Sequence, residues 1–322
     1  MLKLITRRIL AAIPILFGTV SLIFFVARIL PGDPAAMFLS PKIPASALES
    51  ARRDFGLDQP LLNQYGHWLS SLARGDLGYS FVAHQSVVNL VNEAFSNTLL
   101  LGLTALLLQL VLGLGLGLLA ALKPHSFFDR ALSSGGLVLY SLPTFWVGTL
   151  LLSLLAYQLE LFPPSQMHMI GASALSPFSY ALDVLKHLFL PAMTIALPAS
   201  AGLGRYFRIN LEHTLNQQYV SAARSYGLTR PTILIRYALP NALMPIITLG
   251  GIEIGRLLSG ALVTETLFAW PGMGRLIVTA VLARDYPLIV GCAVLSGVVV
   301  VVGNLIADVL HIMVDPRVTM EQ

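Results

Sequence analysis

Charge is what this chain has least of. Only 11% of its 322 residues are Asp, Glu, Lys or Arg, while 56% are hydrophobic, and its mean hydropathy is +0.76. Soluble domains carry about a quarter charged residues, so a soluble fold is excluded and an integral membrane protein is expected. Cysteine is nearly absent: Cys292 stands alone in an apolar run, which rules out an internal disulfide framework and a cysteine-only metal site and leaves packing as its role. No glycine is followed by lysine, so the phosphate-cradling Gly-x-x-x-x-Gly-Lys-Ser/Thr loop is missing and the chain cannot be an ATPase. His-Glu-x-x-His and Gly-x-Ser-x-Gly sequences are missing too, which removes two families of hydrolase chemistry. No internal repeat is visible, so the inverted-repeat plan of many secondary transporters has no support. The formal charge of +4 is spread over loops, which argues for membrane orientation and against nucleic acid as a partner.

What is present is a series of apolar stretches near or above the roughly 18–20 residues that a spanning helix needs. They predict an all-α integral membrane bundle, not a barrel of short alternating strands. Six transmembrane helices are expected, with both termini cytoplasmic. The N-terminus and first span occupy 1–30 and an extracytoplasmic segment 31–96. A core, 97–322, then holds spans at 97–122, 135–159, 188–207, 245–267 and 288–312, with a long cytoplasmic loop at 208–244. The first apolar run, Ile9 to Leu30, follows Lys3, Arg7 and Arg8 but is too long for a signal sequence and lacks a small-x-small site, so it is read as a retained span. Basic residues on the short loops test the topology. Lys3, Arg7, Arg8, Lys123, Arg130, Arg205, Arg208, Arg224, Arg230, Arg236 and Arg317 fall inside, against Lys186, Arg275 and Arg284 outside.

Details of the spans follow from their residues. Gly113, Gly115 and Gly117 give the second span a smooth face for close helix approach, and Pro143 predicts a kink in the third. In the outer segment, Pro60 opens a helix with Leu61, Leu62, Tyr65, Trp68, Leu69 and Leu72 on one face, suited to lying on the bundle or the interface. Glu253 and Arg256 sit three apart at membrane depth in the fifth span. Burying either charge alone costs about 2.5–3.5 kcal/mol on insertion scales, so they either pair structurally or line and gate a watery path. Asp308, near the end of the last span, reads as interfacial. Ile277, Val278, Val281 and Leu282 suggest a re-entrant or surface helix before that span. Met167-His168-Met169 offers soft and imidazole donors in a loop, but a lone His between two Met is read as unligated, and no metal site is assigned.

The stretch that organises the rest is the basic island Glu212 to Met244, which holds Arg224, Arg230 and Arg236 and a single acid. Its first half, Leu211 to Tyr226, reads as a helix with Leu215, Tyr219, Ala222, Ala223 and Tyr226 on its apolar face. Gly227 ends it as a left-handed cap. Pro231 suits the start of a second short helix, Thr232 to Leu239, which Pro240 is expected to stop.

The order Tyr219-Val220-Ser221-Ala222-Ala223-Arg224, then Gly227, then Leu239-Pro240-Asn241-Ala242 resembles the cytoplasmic coupling loop, the EAA loop, of ATP-binding-cassette importer permeases. The outer phrases Pro31-Gly32-Asp33-Pro34, Gly75-Asp76-Leu77-Gly78, Trp270-Pro271-Gly272 and Arg284-Asp285-Tyr286-Pro287 look like its dipeptide, oligopeptide and nickel branch. The chain departs from that branch at Ser225-Tyr226, where a small-then-basic pair is commoner. The resemblance implies a type I importer permease in the bacterial inner membrane. Tyr219, Ala222, Ala223, Arg224, Gly227, Leu239 and Pro240 would engage the ATPase. It implies one or two ATPase subunits carrying ATP and Mg, a second homologous permease and an extracytoplasmic substrate-binding protein, with no cofactor in this chain. Alternating access would move peptide cargo, with a nickel or metal-chelate complex as the alternative. An ion-gradient-driven carrier is the competing class, with Glu253 and Asp308 as its only candidate ion sites.

Overall fold

A computed structural model describes residues 2–29, 59–80, 82–246, 250 and 261–314. The first part of the outer segment, most of the fifth span with Glu253 and Arg256, the side chain of Asp308 and Arg317 in the tail lie outside the described residues. The elements are α1 (Leu2–Ile29), α2 (Leu61–Ala73), a two-stranded hairpin of β1 (Tyr79–Ser80) and β2 (Gln85–Ser86), α3 (Val87–Leu122), α4 (Phe127–Ser141) and α5 (Thr144–Leu151, continued by π-helical turns Leu152–Gln158). There follow α6 (Pro177–Leu215), α7 (Gln218–Ser225), α8 (Arg230–Ile233), α9 (Leu262–Leu267), α10 (Met273–Leu282) and α11 (Tyr286–Val314). Among the described residues, four helices are long and apolar enough to cross a membrane, or five if the bent pair α4 and α5 is one span.

Two helices are longer than their apolar runs. α3 has 36 residues and starts at Val87, not Asn97. The ten residues before Asn97, nearly three turns, are broken by Asn89, Asn92 and Glu93, and one stripe of them, Val87, Val91 and Ala94, buries against Met273, Ala280, Leu288 and Cys292. α6 has 39 residues, so at 1.5 Å per residue it is about 58 Å long, well beyond a hydrocarbon layer of about 30 Å. It opens far upstream of Leu188, with Ser176 as N-cap accepting from the Ser179 amide and Pro177 in the first turn. Its excess length makes it a stalk.

α3 and α6 run side by side, from Leu101 against Leu188 and Ala192 at one end to Leu110 and Leu118 against Leu203 and Phe207 at the other. Glycine sets the spacing. A Cβ on Gly117 would stand 2.5 Å from the Gly204 carbonyl oxygen, and one on Gly113 3.1 Å from that of Ser200. Gly115 has nothing within 4 Å, so it does not share the predicted smooth face: positions four apart lie on one side of a helix and positions two apart do not.

The third predicted span is not one kinked helix over 135–159. α4 and α5 meet at 104°, because Leu142 is extended (φ −74°, ψ 140°) and Pro143 restarts the chain as the N-cap of α5. The residue before a proline is pushed out of the helical region, and here the helix ends there. α2 lies on α1 as its apolar face predicts: Trp68 and Tyr65 pack on Phe24 with ring centroids 5.1 and 5.3 Å apart, and the Tyr65 and Ser21 hydroxyls are 2.7 Å apart.

Candidate functional site

At one end of the stalk the chain builds a small knob. The predicted helix Leu211 to Tyr226 is two helices: α6 ends at Leu215, Asn216 and Gln217 turn the chain, and α7 begins at Gln218. The elbow after α7 follows from Gly227, at φ +78°. The Gly227 amide donates to the Arg224 carbonyl (3.0 Å) and the Leu228 amide to that of Ala223 (3.2 Å), the paired bonds of a Schellman cap. An L-residue there would be strained. The turn folds α8 back so that Val220, Ala223 and Ile233 bury one another. Val220 and Ile233, not Tyr219 or Tyr226, thus carry the knob's apolar face, and Tyr226 is 87% exposed.

Of the predicted coupling residues, Tyr219, Ala222, Arg224, Gly227 and Pro240 are exposed, Leu239 is half-buried and Ala223 is buried. Arg230 and Arg236 are exposed as well. Pro240 does not stop the second helix, which continues through 239–246. π-helical turns at Leu234–Ala238, in which the Leu239 amide reaches the Leu234 carbonyl, widen the helix just where a proline ring would strike the carbonyl four residues back. Ala238, Ala242 and Ile246 of this segment then pack on Leu203, Phe207 and Leu211 of the stalk.

A charged fork ties the stalk to α4. Arg208 Nε donates to Asp129 Oδ1 at 2.6 Å and its Nη2 to Oδ2 at 2.9 Å, while Nη1 lies 3.1 Å from Glu212 Oε2. Asp129 is 3% exposed. It also accepts from the His125 amide, while its own amide donates to Ser126 Oγ, so one carboxylate caps α4 and grips α6. Glu212 is spent on Arg208, and Arg224, Arg230 and Arg236 have no acidic partner among the described residues, which leaves the described knob positive.

The opposite end holds a second buried carboxylate that sequence reading missed. Glu265 is fully buried; its Oε2 accepts the Gly274 and Arg275 amides at 2.7 and 3.1 Å, and its Oε1 the Thr98 hydroxyl at 2.9 Å. Thr98 Oγ1 in turn accepts the Met273 amide at 2.8 Å. The first three amides of α10 are therefore satisfied by side chains from two other helices, and the negative charge sits at a helix N-terminus. Nearby, Trp270 Nε1 donates to the Asn97 carbonyl at 3.0 Å, and the buried Ser80 hydroxyl donates to Asp285. The signal was available: Glu265 is an acid in an apolar run directly before Trp270-Pro271-Gly272.

Between these ends an open cleft of about 840 Å³ lies among α3, the α4–α5 break and α6, with Gln109, Tyr140, Thr144 and Arg205 in its wall. Gly202 lets the Tyr140 ring lie against α6, since a Cβ there would come within 2.8 Å of it. Among the described residues no group of three or more His, Cys, Asp and Glu is arranged to hold a metal ion.

A long-helix membrane bundle with a protruding cationic knob has the architecture of an importer permease. The solved structure titled "Inward facing conformations of the MetNI methionine ABC transporter" matches with a TM-score of 0.52, over 70% of this chain and 96% of that one, at 15% identity; this is a likeness of fold. Residues 113–320 match the family described as binding-protein-dependent transport system inner membrane component, and residues 1–102 match the family described as the N-terminal part of that membrane component. The chain belongs to this family. It is 38% identical over 315 residues to the oligopeptide transport system permease protein AppB of Bacillus subtilis, covering 98% of each chain. It is 32% identical over 318 residues to the glutathione transport system permease protein GsiC of Escherichia coli, covering 99% of each. It is a multi-pass inner-membrane permease subunit of an ATP-binding-cassette importer, in the branch that holds these two relatives, and a transport component rather than an enzyme.

Proposed function

We propose that this chain forms half of the translocation pathway of a peptide importer, with six spans and both termini cytoplasmic. A second, homologous permease completes the pore, and an extracytoplasmic binding protein delivers the cargo. ATP and Mg are handled by separate ATPase subunits, which seat the loop 211–240. Peptide cargo is favoured over a nickel or metal-chelate complex because the relatives are named for oligopeptide and glutathione transport. With the family shown, the ion-gradient carrier gives way.

The observation that carries the coupling role is the knob: Tyr219, Ala222, Arg224 and Gly227 stand exposed on a glycine-capped helix at the end of a stalk that runs through the bundle. Ala222 keeps that face low, and Arg224 with its neighbours supplies a positive field. Leu239 and Pro240 continue the return helix onto the stalk, so a push on α7 passes into α6, and through the Arg208 fork into α4. Glu253 and Arg256 lie outside the described residues, and the two roles proposed for them stay as the sequence gives them, a structural pair or the lining and gating of the path. Uptake by vesicles holding the complete importer tests the reading. Peptide entry should require ATP on the knob side and persist with a protonophore; uptake abolished by the protonophore while ATP is plentiful would overturn it.

A further inference from the structure

Gln109 is out of place. It sits within the 36-residue apolar helix α3, is 6% exposed, and makes no hydrogen bond among the described residues. A carboxamide offers two donors and two acceptor lone pairs, and a polar group at membrane depth is tolerated where it faces a watery cavity. Its side chain borders the cleft of about 840 Å³, within the range of small-ligand sites. Arg205 reaches the same cleft. Its neighbour Arg208 is taken by Asp129 and Glu212, whereas Arg205 has no partner among the described residues. Among the described residues that line the cleft there is no acid, histidine or cysteine, so this described wall suits an anion and not a metal cation. Tyr140, Thr144 and Tyr206 add hydroxyls, and α5 begins at its edge with Thr144, where a helix N-terminus adds positive potential.

We propose that this cleft is a station for the carboxyl-terminal end of a peptide in transit. Arg205 receives the carboxylate as a two-pronged pair, and the Gln109 amide pairs with the adjacent peptide group, donating to its carbonyl and accepting from its N–H. The proposal rests on the peptide reading above and adds a place and a chemical preference to it.

The test uses the complete importer in liposomes with Leu142→Cys as reporter, because Leu142 borders the cleft and the native Cys292 is fully buried. Trialanine should slow modification of the reporter by a neutral maleimide, and trialanine amide should do so far less. Adding Arg205→Gln should raise the half-protecting trialanine concentration about tenfold or more, the weight of one charge-assisted pair. Arg205→Lys should fall between, and Gln109→Leu should weaken acid and amide alike. Equal protection by acid and amide, protection untouched by Arg205→Gln, or protection by phosphatidylglycerol in place of trialanine would overturn the proposal. An importer that takes up trialanine without reporter protection loses the cleft but keeps the peptide reading. One that takes up no peptide loses both.

Discussion

Replacing Gly227 separates two reasons why a glycine stands at the tip of the knob. Its φ of +78° lies in the left-handed region, and a Cβ added there would meet nothing within 4 Å. Within this chain the cost of a side chain is therefore conformational. A non-glycine residue in that region costs about 1–2 kcal/mol, with Asn tolerated best, and 1–2 kcal/mol is a factor of about 5–30 in a local equilibrium. The knob has little to resist such a shift, because Val220, Ala223 and Ile233 are its whole buried cluster. If shape is what the ATPase reads, Gly227→Asn should retain more coupling than Gly227→Ala although Asn is larger, and Gly227→Val should be worst. If the partner instead needs empty space above the glycine, the order inverts and Ala outperforms Asn. The assay is the ATPase retained on affinity-tagged permease, together with ATP-driven uptake, in matched membranes. Ala equal to or better than Asn would refute the conformational argument.

Other perturbations follow from the packing. Gly117→Ala should lower the thermal midpoint of the detergent-solubilised protein, since forcing a methyl against the Gly204 backbone costs about 1–3 kcal/mol, whereas Gly115→Ala, with open space around it, should be neutral or stabilising by up to about 1 kcal/mol. Arg208→Gln leaves Asp129 buried without its cation and should destabilise by about 3–5 kcal/mol; adding Asp129→Asn should restore part of the loss in a double-mutant cycle of unfolding midpoints. Glu265→Gln can keep a carbonyl on the Gly274 and Arg275 amides and should cost no more than about 2 kcal/mol, while Glu265→Leu orphans them and should cost more. Equal midpoints for the two Glu265 variants would count against the cap.

Much of this architecture is legible in the sequence because bilayer length and helical periodicity are strong constraints: Ile9–Val26 and Tyr286–Ile306 show up as plain apolar runs. Helix ends read less well, since Val87, Val91 and Ala94 carry a buried stripe through a stretch that Asn89, Asn92 and Glu93 interrupt. Gly227 was readable as a cap, because the cap's φ demands glycine. Pro240 misled, because its effect depends on π-helical turns that no local pattern announces. Pro143 was correctly marked as a disturbance, but whether a proline bends a span or breaks it is decided by the surrounding packing. Glu265 and Gln109 escaped because their meaning lies in partners, or in the want of them, that come from distant parts of the chain.

The central claim, that the knob is the joint through which an ATPase drives the bundle, is tested most directly at Ala222, exposed on α7. With native Cys292 buried, Ala222→Cys places a single accessible thiol there. The expected result is a bifunctional-maleimide crosslink to the ATPase subunit whose yield changes with nucleotide, and no labelling of intact cells by an impermeant thiol reagent. Labelling from outside, or no crosslink in an importer that is otherwise active, would contradict the account.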